Sequence, residues 1–190
     1  MISSFIWLAV AAAVLLYGIV IYNGLVGLKH GVTKAWSNID VLLKQRHDEL
    51  PKLVETCKQY MQFERDTLEK VMKARSGAQT AREAGDVKGV GAAEGLMRAG
   101  LGGIVATVEA YPELKANQSI QQLLGRITGL ENAISDRREF YNETVNVNNV
   151  RIEQFPDVIV ARLLGFKSAV LLEFSEDEKR DVDVKALFNS

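Results

Sequence analysis

Few side chains in this sequence are equipped for chemistry. His30 and His47 are its only histidines and Cys57 its only cysteine, so any imidazole–thiolate metal site would have to be assembled from these three. Neither histidine belongs to a Glu-x-x-His pair of the kind that holds two metals inside helical bundles. HExxH, GxSxG, GxxxxGK[ST] and EF-hand spacings are absent, as are CxxC and CxxCH. DVKGVGAAEG, residues 86 to 95, offers only GxG with no strand before it, which does not make a phosphate-cradling loop. Cys57 falls on the apolar stripe Leu50, Leu53, Val54, Cys57, Tyr60, Met61, the setting of a buried free thiol. No set of residues fits the roles of nucleophile, base and oxyanion donor. The expectation is therefore no catalytic residue, no cofactor and no metal.

The elements that would position side chains are easier to read. The chain has 190 residues, 47% apolar and 25% charged, which suits one compact domain and one special segment. Its 23 basic and 24 acidic side chains are interspersed after residue 28 and leave a formal charge of −1. Nucleic acid is not an expected partner, because phosphate binding needs a basic excess gathered on one face.

The special segment is N-terminal. No charged side chain occurs from Met1 to Leu28, and the 18 residues FIWLAVAAAVLLYGIVIY from Phe5 to Tyr22 are apolar apart from one glycine and two tyrosine hydroxyls. As a helix they measure about 27 Å, close to the roughly 30 Å hydrocarbon core of a bilayer. Trp7 and Tyr22 fall near the two ends, where amphipathic rings favour the headgroup level. A cleaved secretory peptide would need a basic start and a small-residue cleavage site; MISS and NGLVGL flank the run instead, so residues 1–28 read as a retained transmembrane anchor. Lys29 and Lys34 follow it directly, and the positive-inside bias then places the bulk of the chain in the cytoplasm.

Beyond the anchor the apolar spacing is helical. Leu25, Leu28, Val32, Trp36, Ile39, Leu43, Arg46, Leu50, Val54, Cys57, Met61, Glu64, Leu68 and Met72 recur at steps of three and four, tracing one helix face. Asp48, Asp66 and Glu69 each precede a lysine by four positions on the opposite face, pairs that add about 0.2–0.5 kcal/mol each. Pro51 interrupts the composition but not the phase. A kinked helix bent at Pro51 accounts for that. So does a break near His47 to Leu50, with Pro51 in the first turn of a new helix capped by His47 or Asp48.

Residues 76–91 lose large apolar side chains and gather glycine and charge, and are expected to form the hairpin loop. A second helix is expected from Asp86 or Val87 to Tyr111, striped by Val90, Met97, Leu101, Ile104 and Val108. It also carries a small-residue row: Gly91, Gly95, Ala99, Gly102, Ala106 and Ala110. Glycine in a helix costs about 1 kcal/mol against alanine, so the row suggests a helix-packing surface that lets a neighbouring backbone approach closely. A frayed start over Gly89 to Gly95 is the competing reading. Pro112 marks the next turn, and Ser119 with Gln122, or else Asn117, caps a third helix running to Phe155 and Pro156. Its inner face includes Arg138 and Asn148, which would need buried partners. DVIVARLLGF, then VLLEF, then a charged tail whose Ser175 and Glu178 suit one last helix cap, complete the chain.

Four blocks of this sequence carry a resemblance. YNGLVGLKHGVTKAWSNIDVLLKQRHDELPKLVE from Tyr22, VEAYPELKAN from Val108, ENAISDRREFYNETV from Glu131 and FPDVIVARLLGF from Phe155 resemble, in that order, the LemA family of bacterial membrane-anchored helical proteins. The matching positions include Tyr22, Asn23, Trp36, Ile39, Asp40, Pro51, Glu55, Glu109, Tyr111, Pro112, Arg138, Tyr141 and Asn142. His47, Lys52 and Asn148 depart from the pattern, and residues 167–190 keep little of it. The resemblance implies an all-α fold in which one transmembrane helix continues into a long antiparallel bundle of three long helices with short C-terminal helical segments. It divides the chain into an anchor at 1–28, a bundle at 29–166 and a divergent charged tail at 167–190. It implies no catalysis, a place in the bacterial inner membrane, and for some relatives a link to organelle-membrane formation. Trp36, Asp40 and Arg138 are candidates for a packed, polar-locked region near Pro51, although Trp36 also reads as plain core and Asp40 as plain surface.

Two functions from different classes fit. One is a scaffold: bundles associating through the glycine row, the small residues Ala9, Ala13 and Gly18 of the span, and VLLEF into a homo-oligomer that organises or shapes the bilayer. The other is an adaptor or regulatory subunit for a membrane protease, sensor or other membrane-protein partner.

Overall fold

A computed structural model of the chain describes residues 2–58 and 65–174. Six helices and no strand occur among them: α1 (Ile2–Lys58), α2 (Arg65–Glu83), α3 (Val87–Ala110), α4 (Pro112–Lys115), α5 (Gln118–Glu153) and α6 (Asp157–Leu163). The fold is all-α, as the periodicity requires. The chain divides into two compact units. The first combines Met1–Val41 with Ser135–Val170; the second is Leu42–Ile134 with, among the described residues, 171–174.

In the first unit, Ile21 and Leu25 of α1 pack with Ala161 of α6, supported by Ile152, Val160 and Phe166. Tyr22 and Phe166 meet edge to face at 6.1 Å. The chain reverses after α6 through Gly165, whose φ of 72° needs a residue without a Cβ. The Phe166 N–H then bonds the Ala161 carbonyl at 2.9 Å, closing a Schellman turn that brings Phe166 back onto α1.

The second unit has the larger core. Leu50, Leu53, Val54 and Cys57 of α1 join Leu68 and Val71 of α2, Met97, Leu101 and Ile104 of α3, and Ile120 and Ile127 of α5. The helical spacing of these residues put them on inner faces. Pro51 lies inside α1, so the alternative of a helix beginning there does not hold.

The expected loop over residues 76–91 is corrected. α2 continues to Glu83 and the turn is only three residues, Ala84 to Asp86. Alanine, glutamine, arginine and glutamate, which make up most of residues 78–83, are good helix formers, and Ala74 and Ala78 are buried at this hairpin, so the loss of bulk marks close packing rather than loop. Gly85, at φ 67°, ends α2 in a second Schellman turn, with Asp86 N–H to the Ala81 carbonyl at 2.9 Å and Gly85 N–H to that of Arg82 at 3.0 Å. Asp86 then caps α3 by accepting from the Gly89 N–H at 3.0 Å.

Smaller differences follow the same logic. The turn at Pro112 is a one-turn helix, α4, with proline at its first position. Asn117, not Ser119, caps α5: its side-chain oxygen accepts from the Ser119 and Ile120 N–H groups at 3.0 and 3.2 Å. Lys52 pairs with Glu49 at 2.9 Å instead of with Asp48, because residues three apart also face one another on a helix. The stripe positions Tyr60, Met61 and Glu64 and the expected cap at Ser175 and Glu178 lie outside the described residues.

Candidate functional site

Pro51 explains one polar contact of the second unit. A proline at this position cannot donate to the carbonyl four residues earlier, which belongs to His47. Arg75 of α2 supplies the missing donor: its Nε bonds the His47 carbonyl at 2.9 Å. The proline thus leaves an acceptor that another helix takes up.

One turn before it, Arg46 is buried to 1% exposure and reaches two carboxylates, Glu94 of α3 and Glu131 of α5. Arg98 stands 3.9 Å from Glu131 on the other side. Desolvation lowers the Arg46 guanidinium below its ordinary value, and the charge and hydrogen bond of Glu131 offset part of that. The Nε of Arg46 has no hydrogen-bond partner among the described residues. A buried ion cluster of this kind contributes little net stability, but removing one member leaves an uncompensated charge. Its effect is to fix how α1, α3 and α5 register against one another.

In the first unit, Trp36 packs on Tyr141 with ring centroids 5.5 Å apart. The Tyr141 hydroxyl donates to the Val170 carbonyl at 2.8 Å, and burial pushes this phenol up. Asn149 makes two reciprocal bonds with the Ala169 backbone, at 2.8 and 2.9 Å. Asn148, buried, donates to Asn149 at 3.2 Å. These residues strap the segment after α6 to α5.

The structure separates the residues singled out from sequence. Ile39 and Tyr141 are core and Trp36 is half-buried. Asp40, Arg138 and Asn142 are half-buried and engaged in interactions. Tyr22, Asn23, Glu55, Glu109, Tyr111 and Pro112 are exposed. The small-residue row is split as well: Gly91 is buried, Gly95 half-buried, and Ala99, Gly102, Ala106 and Ala110 are exposed. Close approaches inside the chain use Gly91, where a Cβ would overlap the Glu173 carbonyl, and Gly100 and Gly103, which face Val71 and Thr67. The Arg46 cluster was missed in part. Arg46 stood on the apolar stripe, which marks it as buried, but nothing in sequence spacing ties it to Glu94 and Glu131.

Chemically, this arrangement holds helices together. The Cys57 thiol is buried and pushed up to about 11 by desolvation, far from a thiolate nucleophile at neutral pH. No group of three metal-ligating side chains occurs among the described residues.

The sequence model of the LemA family matches residues 35–186. The chain belongs to the LemA family. The match runs past Phe166 into the segment that keeps little of the quoted blocks. Among similar proteins is Protein LemA of Metamycoplasma hominis, 28% identical over 169 residues, 88% of this chain and 75% of that protein. Magnetosome protein MamQ 2 of Paramagnetospirillum magneticum is 29% identical over 102 residues, 54% of this chain. Magnetosome protein MamQ of Magnetospirillum gryphiswaldense is 27% identical over 100 residues, 53% of this chain. The chain spans only 38% and 37% of the length of these two magnetosome relatives. Among the described residues, one helix, α1, is long and apolar enough to cross a membrane, and almost none of its apolar stretch is buried.

Proposed function

We propose that this chain is a non-enzymatic membrane-anchored scaffold: α1 crosses the bacterial inner membrane once, and the helices beyond it self-associate on the cytoplasmic side to organise the bilayer. The observation that carries the reading is the exposure of the apolar run. Phe5, Trp7, Leu8, Val14, Leu15 and Val20 all face outward, and a stretch of this size is stable only against lipid or protein. Ile21 and Leu25 continue directly into a buried core, which favours a retained anchor over a segment removed after secretion. The likeness to two magnetosome proteins supports a role connected with a bacterial organelle.

Self-association draws its support from α3. Ala99, Gly102 and Ala106 are exposed beside Leu96 and Val105, a small, apolar surface that admits a close helix neighbour. Light scattering of the full chain in mild detergent tests this. Discrete oligomers that Gly102→Leu converts to monomer, with helicity unchanged, are expected; a monodisperse monomer before substitution would refute assembly. Labelling of single cysteines at Ser3 and Ser190 in a Cys57→Ser background tests the orientation, with only Ser3 expected to react from outside the cell.

A further inference from the structure

The first unit holds a cleft of about 610 Å³ that none of the contacts above explains. One side is α1 from Tyr22 to Thr33 and the other is the turn after α6, residues 164–169. Its lining is divided by chemistry. Val26, Leu164 and Phe166 are apolar, Lys29, His30 and Lys167 bring basic groups, and Asn148 and Ser168 add polar ones. Among the described residues, no carboxylate lines the cleft.

Position along α1 says what could fill it. Lys29 is the first charged side chain after the apolar run and stands seven residues beyond Tyr22. That distance is about 10 Å along the helix, at the outer edge of the headgroup layer when the run fills the hydrocarbon core, within reach of a lysine side chain. The other wall is anchored one to two turns nearer the span, because Ala161 and Phe166 pack against Ile21 and Leu25. The outer side of α6 is apolar and bare: Ile159 and Leu163, one turn apart, are 58% and 81% exposed, and Phe155, just before the helix, is 81% exposed. An apolar patch continuous with a span suits an interfacial element, with rings and aliphatic chains at the acyl boundary and cations above them.

We propose that this cleft seats the headgroup of an anionic phospholipid, with Lys29 and Lys167 on the phosphate and the outer side of α6 resting in the same bilayer surface. The inference depends on the anchored reading above. A phosphate group is the shared chemistry of a lipid headgroup and a soluble phosphate ester; the apolar half of the cleft favours the lipid.

The test uses the full chain in mild detergent with phosphatidylglycerol or phosphatidylcholine of equal acyl length, counting retained lipid by native mass spectrometry. Two lysines at a membrane surface should favour phosphatidylglycerol by about tenfold or more. Lys29→Gln with Lys167→Gln should abolish the preference; both side chains are exposed, and circular dichroism verifies the fold. Equal retention of the two lipids, or an unchanged preference in the double variant, would overturn the site. Displacement of the lipid by millimolar inorganic phosphate would make it a soluble-phosphate site and overturn the lipid assignment.

A second measurement separates this inference from its premise. Fluorophores on Ile159→Cys, Leu163→Cys and Val10→Cys are exposed to lipids brominated near the headgroup or deep in the chains. Shallow quenching at 159 and 163 with deep quenching at 10 is expected. Quenching at 10 alone would sink the seating of α6 and leave the anchor standing, whereas none at 10 would sink the anchor itself.

Discussion

Pro51 and Arg75 show how one residue's defect becomes another's binding site. The proline removes an intrahelical bond to the His47 carbonyl, and Arg75 Nε occupies that acceptor. A charged donor on such a carbonyl contributes about 1.5–3 kcal/mol. Arg75→Ala should therefore destabilise the chain by about that amount, yet cost clearly less in a Pro51→Ala background, where the alanine N–H satisfies His47. Urea unfolding of the four variants measures the coupling, and strictly additive effects would disprove it. The same site gives a pH dependence. Burial first, and then the Arg75 charge, hold the His47 imidazole below its ordinary 6.5, against the smaller opposing pull of Asp48. The unfolded chain then takes up the proton earlier as the solution acidifies. Stability present above about pH 6.5 is lost as pH falls through the folded value. His47→Gln should flatten that acid-side slope in unfolding measured from pH 7.5 to 5.

At the scale of elements, α3 presents two kinds of glycine that predict opposite outcomes. A Cβ at Gly91 would overlap the Glu173 carbonyl, so Gly91→Ala must push away the segment that buries Leu172 and Phe174. A loss of about 1–3 kcal/mol is expected from such overpacking. Gly102 has nothing within 4 Å of a Cβ, so Gly102→Ala should gain up to about 1 kcal/mol of helix propensity. Thermal unfolding of the two variants in one buffer checks the difference in sign. The contrast also shows where sequence stopped being legible. Spacing gave the small residues one row, but a glycine carries no side chain to say which side of the row meets a neighbour. The stripes of α1, α3 and α5 were legible because large apolar residues mark their own inner face. The hairpin after α2 was not, since alanine in a tight packing and alanine in a loop look alike until the opposing helix is seen. Arg46 was legible as a buried position, whereas Glu94 and Glu131 lie 48 and 85 residues away from it and join it only through the fold.

For the whole molecule, the boundary between the exposed apolar run and the part that folds falls inside the uncharged segment. Residues 4–20 are exposed or half-buried, while Ile21 and Leu25 are core. A chain beginning at residue 19 should be soluble without detergent and keep the first unit packed, if the run before it serves only the bilayer. A chain beginning at residue 29 loses Ile21 and Leu25, and with them about 1.5–3 kcal/mol of burial each. Both truncations remove Trp7 and leave Trp36 as the sole tryptophan, seated against Tyr141 in the unit at issue. Its fluorescence during urea unfolding should give a midpoint for the longer form well above that of the shorter. Equal midpoints would show that Ile21 and Leu25 contribute no folding energy. That result would move the working edge of the anchor to Lys29, at the first charge.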